Sequence, residues 1–98
     1  MVKMVFSFKV PQEKQKEYLD TTMKKIKPFW ESHGCDSYDV FQGIEDPEVF
    51  VKEMLFEDEK AMGIALTLKD RDSEAKAVVD LWLTYLEDLV RTPYIKKT

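Results

Sequence analysis

The stretch Glu48–Glu57 is apolar on both of its faces, and few small folds can accommodate such a strand. Side chains of a strand alternate between the two faces of its sheet, so Val49, Val51 and Leu55 point one way while Phe50, Met54 and Phe56 point the other. An antiparallel sheet with helices on one side should instead alternate apolar and polar residues. The first strand behaves similarly. Met4, Phe6 and Phe8 share a face, and Val5 lies opposite with Ser7 and Lys9. In the second strand Tyr38 and Val40 face away from Phe41.

A chain of 98 residues holds enough helix to cover one face of such a sheet. The other face would leave an apolar patch larger than monomers usually expose. Burying each of its large side chains is worth roughly 1.5–3 kcal/mol. The simplest cover is a second copy, sheet against sheet across a two-fold axis, so a homodimer is expected. A groove for another protein is the alternative.

The remaining elements follow from pattern and punctuation. Lys3–Val10 reads as a strand closed by Pro11, which opens a helix with Glu13 on its positive end. Tyr18, Leu19, Thr22, Met23, Ile26, Phe29 and Trp30 recur at helical spacing as one stripe. Pro28 should kink that helix or weaken its last turn, and Gly34 ends it. Ser37–Gln42 is the second strand, and Gly43–Pro47 a turn. Asp58 caps a short helix carrying Ala61, Met62, Ala65 and Leu66, and Lys69–Asp72 is a polar break.

A final helix capped by Asp72 or Ser73 is predicted on the stripe Val78, Val79, Trp82, Leu83, Leu86, Leu89 and Val90. A short edge strand after Thr92-Pro93, shielded by Lys96 and Lys97, completes the chain. The order is β-α-β-β-α-α-β, an α+β ferredoxin-like plan with an antiparallel sheet in one domain spanning residues 1–98.

Charge and composition exclude several functions. The net charge of −4 argues against nucleic acid and anionic membranes, which need a basic surface. An RNA-binding sheet of this topology would set its exposed aromatics among basic residues. No run approaches the roughly 18 apolar residues of a membrane span, and the N-terminus lacks a signal peptide's apolar stretch. A lone cysteine, Cys35, fits a reducing, cytoplasmic setting. The lack of Asn and the excess of Lys and Glu follow the thermophile pattern.

The stretch Ser32–Val40, with Gly34-Cys35 and then Tyr38, resembles the start of the second strand in dimeric α/β-barrel proteins of the antibiotic-biosynthesis-monooxygenase type. Asp46–Phe50, Glu53, Phe56, Glu57 and Ala61 resemble the hairpin, third strand and following helix of the same family. The resemblance implies a dimeric α/β barrel and a cofactor-independent monooxygenase acting on a small aromatic or polyketide-like substrate. Its alternative is a non-catalytic dimerisation or ligand-binding domain. Departures from the family pattern are Phe56, where a Trp is frequent, and Ala65, where many members carry a His. The haem-degrading branch uses an Asn, a Trp and a haem-ligating His, whereas this chain has no Asn and its one histidine, His33, lies beside Gly34 and not on that helix. The final helix, read through to Val90, is longer than the family's.

Such a site needs a pocket and donors that stabilise a substrate anion. The candidates lining a pocket for a small apolar or aromatic ligand are Ser7, Tyr38, Trp82 and Tyr85, with Arg71 behind them. Tyr38 and Trp82 also suit plain core packing, and Ser7 suits a small packing residue. His33 follows a helix whose C-terminal dipole favours a positive charge, which is a stabilising role. Cys35 has no base beyond His33, so a reactive thiol is disfavoured. Glu53 and Glu57 read as rim or ion-pair residues, with Lys52 on the opposite face from Glu53. No metal cluster, phosphate loop or triad is legible, and no cofactor is expected.

Overall fold

The computed structural model describes residues 1–98. β1 (Val2–Lys9), β2 (Ser37–Gln42), β3 (Val49–Phe56) and β4 (Glu87–Ile95) form one antiparallel sheet in the order β2-β3-β1-β4. The α+β ferredoxin-like arrangement read from the sequence is the one observed. All helices lie against one face.

A continuous helical segment follows Pro11. A 3₁₀ turn at Gln12–Lys14 leads into α1 (Gln15–Thr21), a π turn at Thr22–Ile26, and α2 (Lys27–Glu31). The π turn has an identifiable cause. Pro28 has no N–H to donate, and its ring would strike the carbonyl four residues back in a regular α-helix. The turn just before it widens, and the Lys27 N–H donates to the Thr22 carbonyl, five residues back. Tyr18, Thr22, Ile26, Phe29 and Trp30 are buried. Leu19 and Met23 are exposed, each standing about 100° round the helix from Tyr18 or Thr22.

α3 (Glu59–Leu66) is capped by Asp58, whose Oδ1 accepts from the Ala61 N–H at 2.8 Å. After a 3₁₀ turn at Leu68–Asp70, α4 (Ser73–Leu83) is capped by Asp72, which accepts from Glu74 and Ala75. The final helix is shorter than its stripe predicts. It stops at Leu83, and Glu87–Ile95 is the longest strand of the sheet, not a short tail beyond Pro93. Leu86, Leu89 and Val90 continue the helical spacing, but the backbone hydrogen bonds offered by β1 override it. Asp88 takes a φ of 56° where the register with β1 slips by a residue between Ser7 and Lys9. Aspartate tolerates that left-handed conformation, and the bulge starts the strand. Pro93 is accepted because β4 is an edge strand.

The inward face of the sheet carries Val2, Met4, Phe6 and Phe8 from β1, Phe50, Met54 and Phe56 from β3, and Tyr38 from β2, all buried under the helices. One register row crosses this face as Val40, Lys52, Phe6 and Arg91. It sets a cation on each side of Phe6. The outward face carries Phe41, Val51, Ser7 and Val90 in one row and Leu55, Lys3 and Tyr94 in another, and no helix covers it. No helix is long and apolar enough to cross a membrane.

Candidate functional site

Strand alternation places Lys52 between Phe50 and Met54 on the helix-covered face, where it is 3% exposed. It enters none of the chain's ion pairs. Its ammonium is held instead by aromatic faces. Nζ lies 3.6 Å from the Trp82 ring centroid, 4.4 Å from Phe6 and 5.1 Å from Tyr38. Desolvated cation–π contacts offset part of the penalty for burying a charge, at about 2 kcal/mol each. The remaining penalty falls on the protonated form. Burial lowers the Lys52 pKa from 10.5 to about 7, with a smaller opposing effect from Cys35.

A cavity of about 90 Å³ opens above this lysine. Its walls are Phe6, Trp30, Met54, Leu66, Val79 and Trp82, and exposed Lys69 and Arg91 stand at its mouth. Its charged lining residues, Lys52, Lys69 and Arg91, are all cations. The cavity lies between the sheet and the helices, reached from β1, α2, β3, α3, α4 and β4.

The core beside it is unusually polar. The hydroxyls of Tyr18, Thr22 and Tyr38 and the indole N–H of Trp82 are buried without hydrogen-bond partners. Each such group costs about 1–3 kcal/mol. Burial pushes Tyr18 up to about 12; Thr22 and Trp82 are near enough to act against that rise, though not at hydrogen-bonding geometry. Tyr38 is raised well above the usual tyrosine value by burial, then by Tyr18 and Cys35. These groups are hydroxyl donors, not phenolates, at neutral pH.

The structure separates the residues singled out by the sequence. Trp82 lines the cavity. Tyr38 is buried behind Lys52, its ring against the ammonium. Tyr85 is turned toward the first helix, where its hydroxyl meets Glu17 at 2.9 Å and Thr21 at 3.2 Å. Ser7 stands exposed on the outward face of the sheet, remote from the cavity, because odd positions of β1 point away from the helices. Arg71 donates to the carbonyls of Ile64 and Thr67, finishing α3. His33 stacks on Phe29 at 4.1 Å and its Nδ1 donates to the Phe29 carbonyl, a helix-end role. Glu53 pairs with Lys3 at 3.0 Å across the outward face. The Cys35 thiol is buried, donates to the Ser37 carbonyl and is pushed up to about 11 chiefly by burial, which suits an inert side chain.

Sequence reasoning passes over Lys52, Trp30 and Arg91. The signal for Lys52 is present, a lone charge at an even position of a strand whose other even positions are Phe50, Met54 and Phe56. Arg91 is hidden by the helix assigned to its segment.

A second cleft, of about 330 Å³, lies at the row Leu55–Lys3–Tyr94 with Met1, Ile95 and Lys96. It is larger, but it holds no buried polar side chain and belongs to the uncovered face. No group of three or more His, Cys, Asp and Glu is placed to hold a metal ion.

Several solved structures share the whole fold of this chain. A conserved protein from Methanosarcina mazei Go1 is 24% identical with a TM-score of 0.75, covering 98% of this chain and 92% of that one. SnoaB, a cofactor-independent oxygenase from Streptomyces nogalater solved as a point mutant, has a TM-score of 0.81 at 12% identity, with 99% and 93% covered. A NIPSNAP domain protein from Burkholderia xenovorans has a TM-score of 0.79 at 11% identity, with 99% and 95% covered. No curated protein matches the sequence. The sequence model of the antibiotic biosynthesis monooxygenase family matches residues 1–70, and by that match the chain belongs to this family.

Proposed function

We propose that residues 1–98 act as one small-molecule-binding domain that oxidises a small aromatic substrate without a metal or flavin. The observation that carries this reading is Lys52, a buried and unpaired amine at the base of an aromatic cavity. With a pKa of about 7, it is present in both protonation states near neutrality. As the free amine it takes a proton from an acidic C–H or O–H of the substrate. As the ammonium it then faces the resulting anion, the species that reacts with dioxygen. For an activated ring CH₂ the balance is CH₂ + O₂ → C=O + H₂O, with both electron pairs supplied by the substrate. Membership of a family named for monooxygenases supports the reaction class, and SnoaB, a cofactor-independent oxygenase of the same fold, points the same way.

Incorporation of ¹⁸O tests it. Purified protein treated with a chelator is incubated under ¹⁸O₂ with single-ring dihydroxyarenes and enolisable aromatic ketones. One labelled oxygen in the product, lost in Lys52→Met, is expected. No label above that variant across the panel contradicts oxygenation.

The size of the cavity favours a second reading. Ligand pockets usually enclose about 300–1,000 Å³, and this one is about 90 Å³. A non-catalytic domain that holds only part of a ligand suits that volume better than an enzyme that must enclose a whole substrate. Binding without oxygen consumption is its signature.

The working unit is proposed to be a homodimer joined through the uncovered sheet face. Phe41 and Val90 are 55% and 62% exposed there, beside Val5, Val51 and Leu55. A patch of this kind is costly to leave in water. The buried reduced Cys35 suits a cytoplasmic setting.

A further inference from the structure

Three cations reach one small cavity from three separate elements. Lys52 comes from β3, Lys69 from the turn before α4, and Arg91 from β4. No carboxylate joins them in the lining. The chain as a whole carries a net charge of −4, so this is a local inversion and not a sample of a basic surface. Lys69 has one donor committed to the Leu66 carbonyl at 3.1 Å, while Lys52 has no oxygen partner and only ring faces around it. A buried ammonium without an anion is strongly disfavoured unless something completes it.

The walls define the rest of the ligand. Phe6, Trp30 and Trp82 offer flat aromatic surface, and a volume of about 90 Å³ takes a carboxyl group and part of one ring, with the remainder in the mouth. A phosphate is a poorer match, since one buried lysine with no helix N-terminus or nest of backbone N–H groups leaves most of its oxygens unsatisfied. A fused polycyclic system is too large to enter beyond one edge.

We propose that the ligand of this cavity is a small, single-ring aromatic carboxylate, its carboxylate paired with Lys52 and its ring between Trp30 and Trp82 at a mouth lined by Lys69 and Arg91. The assignment rests on the small-molecule pocket proposed above in its ligand-binding reading, since an ammonium paired with a carboxylate is no longer the free amine that would take a substrate proton, and it narrows the ligand to an acid. The groups facing Lys52 are the rings of Phe6, Tyr38 and Trp82, and the nearby Cys35 thiol, raised to about 11, is neutral, so the ligand supplies the only carboxylate at the site. Lys69 and Arg91 draw it in from solvent.

The two tryptophans of the chain, Trp30 and Trp82, both line the cavity, so intrinsic fluorescence reports occupancy. The probes are benzoate and its neutral isostere benzamide, titrated into the native protein, Lys52→Met and Arg91→Gln. In the native protein benzoate should bind at least about tenfold more tightly than benzamide, as a charge-assisted pair predicts. Lys52→Met should abolish that preference while still binding benzamide, and Arg91→Gln, on an exposed strand, should reduce it by about threefold. Equal affinity of the two probes in the native protein, or a preference that survives Lys52→Met, overturns the acid assignment and leaves the pocket standing. No response to either probe at millimolar concentration overturns both.

Discussion

The Nζ of Lys52 sits 3.6 Å from the centroid of the Trp82 ring, and no carboxylate of the chain comes within ion-pair distance of it. A side chain in that position weakens the fold it belongs to. A methionine of similar length would pack on the same rings with nothing to desolvate. Retention of the amine is intelligible if the cavity above it is used, since functional groups are commonly held at the expense of stability.

That relationship predicts a stabilising substitution. Between about 7 and 10.5 the unfolded chain keeps a proton on Lys52 that the folded chain has released, so stability rises with pH across that window. The penalty is full below about 7 and gone above 10.5. Lys52→Met should therefore raise unfolding free energy by on the order of 3 kcal/mol at neutral pH. The gain should shrink steadily toward pH 10. Urea unfolding of both proteins at several pH values measures it, and a destabilised or pH-independent variant contradicts the account.

Tyr85 should behave as a structural residue. Its hydroxyl ties the end of α4 to the first helix through Glu17 and Thr21. Tyr85→Phe should cost about 1–2 kcal/mol in chemical unfolding. Tryptophan fluorescence titrations of the cavity should be unchanged, whereas a loss of ligand binding would return Tyr85 to the site.

Cys35 should be silent. With its thiol buried and raised to about 11, it should resist a disulfide reagent at pH 8 in the folded protein and react at once in denaturant. Fast modification of the native chain would show that the segment between α2 and β2 opens.

The uncovered sheet face should mediate self-association. Phe41→Glu places a charge beside Val51 and Val49 on the uncovered face without touching the buried core. Light scattering on a sizing column should give a dimer for the native chain and a monomer for the variant. A native monomer at micromolar concentration contradicts the assembly.

Much of this architecture is legible in the sequence, for reasons that particular residues show. β1, β2 and β3 announce themselves through β-branched and aromatic alternation, and Asp58 and Asp72 mark helix starts because a carboxylate can accept the first free N–H groups. The C-terminal boundary is not legible, because Leu86, Leu89 and Val90 fit a helix locally and become strand only through pairing with β1. The π turn is foreshadowed by Pro28, but how the chain accommodates it depends on Thr22, six residues earlier. Of the proposed pocket residues, Trp82 reaches the cavity, Tyr38 backs it, Tyr85 is turned to another contact and Ser7 faces away. Lys52 is readable from alternation alone, yet its charge suggests the surface.

The most direct measurement is a titration of Lys52 itself. Carbon-13 labelling of the lysine side chains lets each amine be followed by NMR as pH is raised, with Lys52→Met assigning its signal. A midpoint near 7 is predicted, against ordinary lysines near 10.5. A Lys52 signal that titrates with the others near 10.5 would mean that the amine is solvated or paired, and the cavity chemistry built on it would fall.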